Sequence, residues 1–141
     1  MGTASRVLKF AIGSDFGSAQ NVQSTILDEV KRRKFNDAAI FAIRVALHEA
    51  LTNAIKHGNQ MEETKKVAVL AKFGPQRIEI VVEDEGGGFD PDAVPDPTLD
   101  CNILRPSGRG IHMIETYMHE VEWSRGGRRL KMIRRNTPDE D

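Results

Sequence analysis

The sequence predicts an α/β (α+β) two-layer sandwich, a mixed, mostly antiparallel sheet with about three helices on one face. Three observations predict it. Two helical periodicities follow directly on one short alternating segment near the start of the chain. Two further pairs of alternating segments are joined at Gly74-Pro75 and at Gly126-Gly127, which are hairpin signals. The composition, 39% hydrophobic and 29% charged over 141 residues, is that of one domain large enough to bury a core without staples. Residues 1–136 are expected to form that domain and 137–141 a short disordered tail.

Taken in order, Arg6 to Ile12 alternate and suit a first strand. Gly13 to Gly17 make a turn in which Ser14 and Asp15 are candidate helix caps. Val22, Ile26 and Val30 recur at four with charges between them, an amphipathic surface helix running to about Lys34. Asn36 or Asp37 caps a second helix. On it Ile40, Ile43, Leu47, Leu51 and Ala54 form one apolar stripe, while Glu49, Asn53 and His57 fall on roughly the opposite side. Ala42, Val45 and Ala46 share that second side, so this helix is apolar nearly all round and central, with Gly58 as its C-cap.

Lys66 to Phe73 and Arg77 to Glu83 read as strands. In the second, Ile78, Ile80 and Val82 share a face by period two, and Asp84 continues it, which puts an acid at the end of a buried row. Phe89 to Pro106 contains Pro91, Pro95 and Pro97 and no periodicity; it is a long loop, of the kind that forms lids and binding loops. Gly110 to about Tyr117 is a third helix, with Ile111, Ile114 and Met118 inward. Glu120 to Ser124 and Arg128 to Arg134 are closing strands.

Bulk properties exclude several functions. A net charge of −1 gives no global basic field for nucleic acid or an acidic membrane, and the run Arg125 to Arg135 reads as the solvent face of a terminal hairpin. The single cysteine, Cys101, allows no disulfide framework or cysteine-based metal site, and His48, His57, His112 and His119 lack zinc-site spacing. No apolar run approaches the length of about 18 residues that a membrane span requires. Arg6 in the sixth position breaks a myristoylation signal at Met1-Gly2. A reducing, cytoplasmic protein is expected.

Three short segments carry the chemistry. Glu49 and Asn53, at i,i+4, can reach one ligand. Magnesium takes one or two protein oxygens and leaves its other positions to phosphates and water, which suits an amide oxygen from Asn53, and a nearby carboxylate can deprotonate a hydroxyl. Taken alone, the pair better suits polar residues packing a helix end. Asp84 is a buried acceptor that needs a donor, such as an adenine amine; Gly86 and Gly88 let backbone approach a flat ring, although a tight turn capped by an acid has the same pattern. Gly108-Arg109-Gly110 before a helix offers N–H groups to phosphate, but is a weak signal by itself. A P-loop and the His-Arg-Asp loop of eukaryotic-type kinases are both absent from the sequence.

In this order and on these elements, the segments resemble the ATPase superfamily of gyrase, heat-shock chaperones, histidine kinases and mismatch-repair proteins. Glu49–Gly58 matches its N box, Asp84–Gly88 its first glycine box and Gly108–Gly110 its second. Within it the chain looks most like the bacterial anti-sigma-factor serine kinases. The matching wording is Glu49-Ala50-Leu51-Thr52-Asn53-Ala54, Gly88-Phe89-Asp90-Pro91, Ser107-Gly108-Arg109-Gly110-Ile111 and His119-Glu120-Val121-Glu122-Trp123.

The resemblance implies a Bergerat-type ATP-binding fold with ATP or ADP held between helix and lid. It implies that Asp84 binds adenine, Asn53 binds magnesium and Glu49 is the catalytic base, with His57, Gly86, Gly88, Gly108 and Gly110 shaping the pocket. Arg105 and Arg109 are candidates for phosphate, or else surface arginines. Related ATPases often carry a threonine after the last glycine turn, where this chain has Gly127-Arg128-Arg129, so that hydroxyl contact is in doubt. The implied function is a serine kinase that phosphorylates a small anti-sigma antagonist protein, sequesters a sigma factor, or both, and forms a homodimer. A catalytically weak ATP/ADP-dependent binding switch and an excised histidine-kinase catalytic domain are the alternatives. A first strand beginning at Arg6 leaves no room for a phosphoacceptor helix pair and speaks against the last.

Overall fold

The computed structural model describes residues 5–86 and 106–136. In chain order these form β1 (Arg6–Gly13), α1 (Phe16–Arg32), α2 (Asp37–Thr52) continued by a π turn (Asn53–Gly58), β2 (Lys66–Gly74), β3 (Arg77–Asp84), α3 (Pro106–Tyr117), β4 (Glu120–Ser124) and β5 (Arg129–Arg135). The strands form one five-stranded sheet in the order β1-β2-β3-β5-β4. Every pairing in it is antiparallel, so the mostly antiparallel expectation holds throughout the described strands.

Period-two burial fixes which face carries the helices. Val67, Val69, Ala71 and Phe73 of β2 and Ile78, Ile80 and Val82 of β3 all point into the core, where they meet Ile26 and Val30 of α1, Ile43, Leu47 and Leu51 of α2, and Ile114 of α3. The register sets Val67 opposite Asp84 and Val69 opposite Val82, so Asp84 does extend the buried row, at 6% exposure. Asp15 caps α1 by accepting the Ser18 N–H at 2.7 Å, and Asn36 caps α2 by accepting the Ala39 N–H at 2.8 Å.

Four details depart from the sequence reading. α1 is not a plain surface helix: Glu29 is buried and paired with Arg6 of β1, with Arg32 of its own last turn and with Arg33 at its C-cap. Gly58 is not a left-handed C-cap, because the helix widens into the π turn and ends at Asn59, whose N–H reaches back five residues to the Ala54 carbonyl. α3 begins at Pro106 rather than Gly110, with proline in its favoured place at a helix start. The basic C-terminal run is not wholly a solvent face: Arg134 is buried and donates from Nη1 to the Tyr117 carbonyl at the end of α3.

The helix Asp37–Gly58, α2 with its π turn, is 22 residues long and contains an 18-residue stretch with a mean hydropathy of 1.3, long and apolar enough by those measures to cross a membrane. Its composition follows from its place: it lies between α1 and α3 and over the sheet, with Ala39, Ala42, Ile43, Ala46, Leu47, Ala50 and Leu51 all buried.

Candidate functional site

The site is built where the C-terminal end of α2 meets the end of β3. Asn53 opens the π turn, is 7% exposed, and its Oδ1 is buried with no hydrogen-bond partner among the described residues. His57 lies one turn on, and its Nε2 is also buried without a partner among them. Burial pushes the His57 imidazole below its ordinary range, and the neighbouring Lys56 charge adds to that. Two orphaned polar atoms on one helix end are costly in a finished fold, and an amide oxygen and an imidazole nitrogen there suit a ligand site.

Across from them, the Asp84 carboxylate lies against the backbone of Gly58. A Cβ at Gly58 would sit 2.4 Å from Asp84 Cγ, and one at Gly86 would sit 1.7 Å from the Gly58 carbonyl oxygen. Close approach of backbone therefore requires glycine at Gly86, whereas a side chain at Gly58 would have to displace the Asp84 carboxylate. Asp84 Oδ1 accepts the Gly86 N–H at 2.8 Å. Burial pushes the Asp84 carboxyl above its ordinary range, and the Gly86 N–H only partly offsets this.

Glu49, half-buried, stands one turn before Asn53 on α2, and α3 comes close to it: a Cβ at Gly110 would lie 2.9 Å from Glu49 Oε1. The structure thus brings Glu49, Asn53, His57, Asp84, Gly86 and Gly110 into one region. Gly108 belongs to the first turn of α3 instead of preceding the helix, as does the backbone of Arg109. Gly88, Arg105 and the Arg109 side chain lie outside the described residues, as does most of the loop Phe89 to Pro106. On the other flank of Glu49 a groove of 840 Å³ opens between α1, α2 and α3, lined by Phe16, Leu27, Arg44, His48 and Met113 among others; Asn53, His57 and Asp84 are not part of it.

Sequence reasoning passed over Asn59. Its side chain is fully buried and bonds to Ser14, Lys66 and Glu85. An asparagine after a glycine at a helix end reads only as a stop signal, since its partners are assembled by the fold.

Chemically, a half-buried carboxylate, an unpartnered amide oxygen and a buried, charge-costly acid can serve respectively as a base, a hard-cation ligand and an acceptor for a ring amine. Residues 14–134 match the family described as the histidine kinase-like ATPase domain, and the chain belongs to that family.

Among individual relatives, it is 31% identical over 97 residues to the serine-protein kinase RsbW of Listeria monocytogenes, covering 64% of this chain and 62% of that one. It is 30% identical over 109 residues to RsbW of Bacillus velezensis, covering 72% and 67%. With the anti-sigma F factor of Clostridium perfringens it shares 37% over 82 residues, covering 57% and 59%. The chain therefore spans less than two thirds of the Listeria and Clostridium relatives it matches. The crystal structure of the RsbU and RsbW domains of a Mycobacterium tuberculosis protein superposes with a TM-score of 0.65 at 16% identity, covering 92% of this chain and 32% of that one, a likeness of fold.

Proposed function

We propose that the protein is an ATP-dependent serine kinase of the anti-sigma-factor type, which phosphorylates a small antagonist protein and, in the same or another nucleotide state, sequesters a sigma factor. The observation that carries the reading is the convergence of Glu49, the unpartnered Asn53 Oδ1 and buried Asp84 on one helix end and one strand end, in a chain of the histidine kinase-like ATPase family. The names of the relatives, serine-protein kinase and anti-sigma factor, support the choice of reaction and partners.

In this reading Asp84 accepts from the adenine amine, and Gly86 and Gly88 leave room for the ring. The amide oxygen of Asn53 is the protein ligand for magnesium, which when bound balances charge on the phosphates. Burial and the Lys56 charge disfavour the charged form of His57 beside that cation. The backbone N–H groups of the first turn of α3, Gly108 among them, are assigned to the phosphates, with Arg105 and Arg109 as the candidate cations. Glu49 takes the proton as the seryl oxygen bonds to the γ-phosphorus and the bond from that phosphorus to the bridging oxygen breaks, releasing ADP. The groove beside Glu49 gives the acceptor segment a way in. The expected setting is cytoplasmic, the expected assembly a homodimer.

The test is incubation of the pure protein with magnesium and γ-labelled ATP, with and without host lysate. Label on a serine of a small protein is the expected result. Label released only as phosphate indicates an ATPase, and absence of ATP or ADP binding by calorimetry contradicts the nucleotide reading.

A further inference from the structure

We propose that Asn59 is the positioning residue that holds Asp84 in register with the end of α2, and so sets the selectivity of the site for a 6-aminopurine over a 6-oxopurine. The inference rests on the reading of Asp84 as the adenine acceptor.

Asn59 is completely buried, yet each end of its amide is used. Nδ2 donates to Ser14 Oγ and to the Lys66 carbonyl, both at 3.0 Å, and Oδ1 accepts the Glu85 N–H at 2.8 Å. The partners fix the orientation of the amide, since an N–H faces one end and a carbonyl the other. One side chain thereby ties together the β1–α1 turn, the first residue of β2 and the residue directly after Asp84. Two further bonds brace the clamp: Ser14 Oγ donates to the Lys65 carbonyl at 2.7 Å, and Glu85 Oε1 accepts the Lys66 N–H at 2.6 Å. The backbone N–H of Asn59 closes the π turn on Ala54. The clamp is thus continuous with the helix that carries Glu49, Asn53 and His57.

The placement matters because the junction has no slack. Gly58 and Gly86 meet at backbone contact, and the Asp84 carboxylate rests on Gly58. A backbone contact of this kind resists compression and does nothing against separation. The hydrogen bond from Glu85 to Asn59 supplies the missing restraint, adjacent in sequence to both Gly58 and Asp84. The Asp84 backbone is held in the sheet by its pairing with Val67 and its N–H on the Arg128 carbonyl; without the Asn59 bond it is Glu85-Gly86 that can lift from the helix end, and the carboxylate, oriented by the Gly86 N–H, loses its fixed position. Discrimination by a hydrogen bond depends on that fixity, because a loose acceptor pairs with water as readily as with the ring amine.

The test measures ATP and ITP affinities by calorimetry; the two nucleotides differ in the 6-amino against the 6-oxo group. The parent is expected to favour ATP by roughly tenfold or more, as for a hydrogen bond to a charged group. Asn59→Ala, with its thermal transition above the assay temperature, is expected to lose most of that ratio through weaker ATP binding. If Asn59→Ala is unfolded, Asn59→Ser is read the same way. Ser14→Ala cuts the network on its far side and is expected to lower the melting temperature while keeping the ratio, since a general loss of folded protein does not alter relative affinity. A parental ratio in the Asn59 variant overturns the inference, as does an equal loss in Ser14→Ala. Asp84→Asn separates the two levels. If it keeps the parental ratio, or the parent binds no ATP, the adenine reading fails and the inference with it. If Asp84→Asn loses the ratio while the Asn59 variant keeps it, the inference alone fails.

Discussion

Asp84 is a charge held where the fold alone would prefer none. Burial raises its carboxyl pKa above the ordinary value of 3.8, so the native state binds the proton more tightly than the unfolded chain does. The stability linked to that proton is fully present below pH 3.8 and is lost as pH rises through the folded-state value. Near pH 7 the ionised acid therefore destabilises the protein. Asp84→Asn is expected to raise the melting temperature of the ligand-free protein at pH 7, with the gain shrinking as pH falls through the folded-state pKa; a lower melting temperature at pH 7 contradicts this.

The two glycines beside Asp84 separate by what each would strike. At Gly58 a methyl meets the carboxylate, which can swing aside; at Gly86 it meets the Gly58 backbone, which cannot. Gly58→Ala is expected to cost about 1–3 kcal/mol, as for overpacking, and to weaken ATP binding by displacing the acid, whereas Gly86→Ala costs more. Chemical denaturation of the two variants ranks them, and the reverse order counts against the geometry. At this scale Asp84 was legible, because period two carries Ile78, Ile80 and Val82 straight to it. The true role of Gly58 was not, because the carboxylate its side chain would displace lies on a strand 26 positions away, across the helix–sheet junction.

At the scale of elements, local signals did well where the cause is local. Asn36 and Asp15 cap the helices they precede, and the stripe on α2 faces the core as its periodicity requires. They failed where tertiary contacts decide. The π turn at Asn53–Gly58 leaves no mark in composition, and Glu29 looks like any solvated helix charge until β1 brings Arg6 against it. Burial alone would raise the Glu29 pKa; hydrogen bonds from Arg32 and Arg33, with the charges of Arg32 and Arg6, overcome it and hold the carboxyl below its ordinary range. Because the folded-state value is depressed, this stabilisation is present above the ordinary pKa of 4.5 and is lost as pH falls through the folded-state value. Glu29→Ala is expected to cost about 2–4 kcal/mol at pH 7, since it leaves half-buried Arg33 without its carboxylate, and less in acid. Urea unfolding at the two pH values measures this, and an unchanged midpoint at pH 7 contradicts it.

For the whole molecule, the antiparallel sheet with helices on one face was legible from two hairpins and three helical patterns. The hairpins give β2 beside β3 and β4 beside β5 because their connections are short. That β5 sits against β3, and β1 against β2, is set by long-range pairing for which the sequence has no local mark. This order places the end of β3 at the middle of the sheet beneath the end of α2, and so makes the site. In the proposed kinase Glu49 on that helix moves a proton during phosphoryl transfer while the neighbouring residues hold the nucleotide. The measurement that tests this most directly compares the parent and Glu49→Gln for magnesium-ATP affinity by calorimetry and for transfer of γ-label to a protein serine. Equal affinity within about twofold is expected, as for a residue acting chiefly in the transition state, with a loss of transfer of at least about a hundredfold. Equal transfer by the two proteins contradicts it.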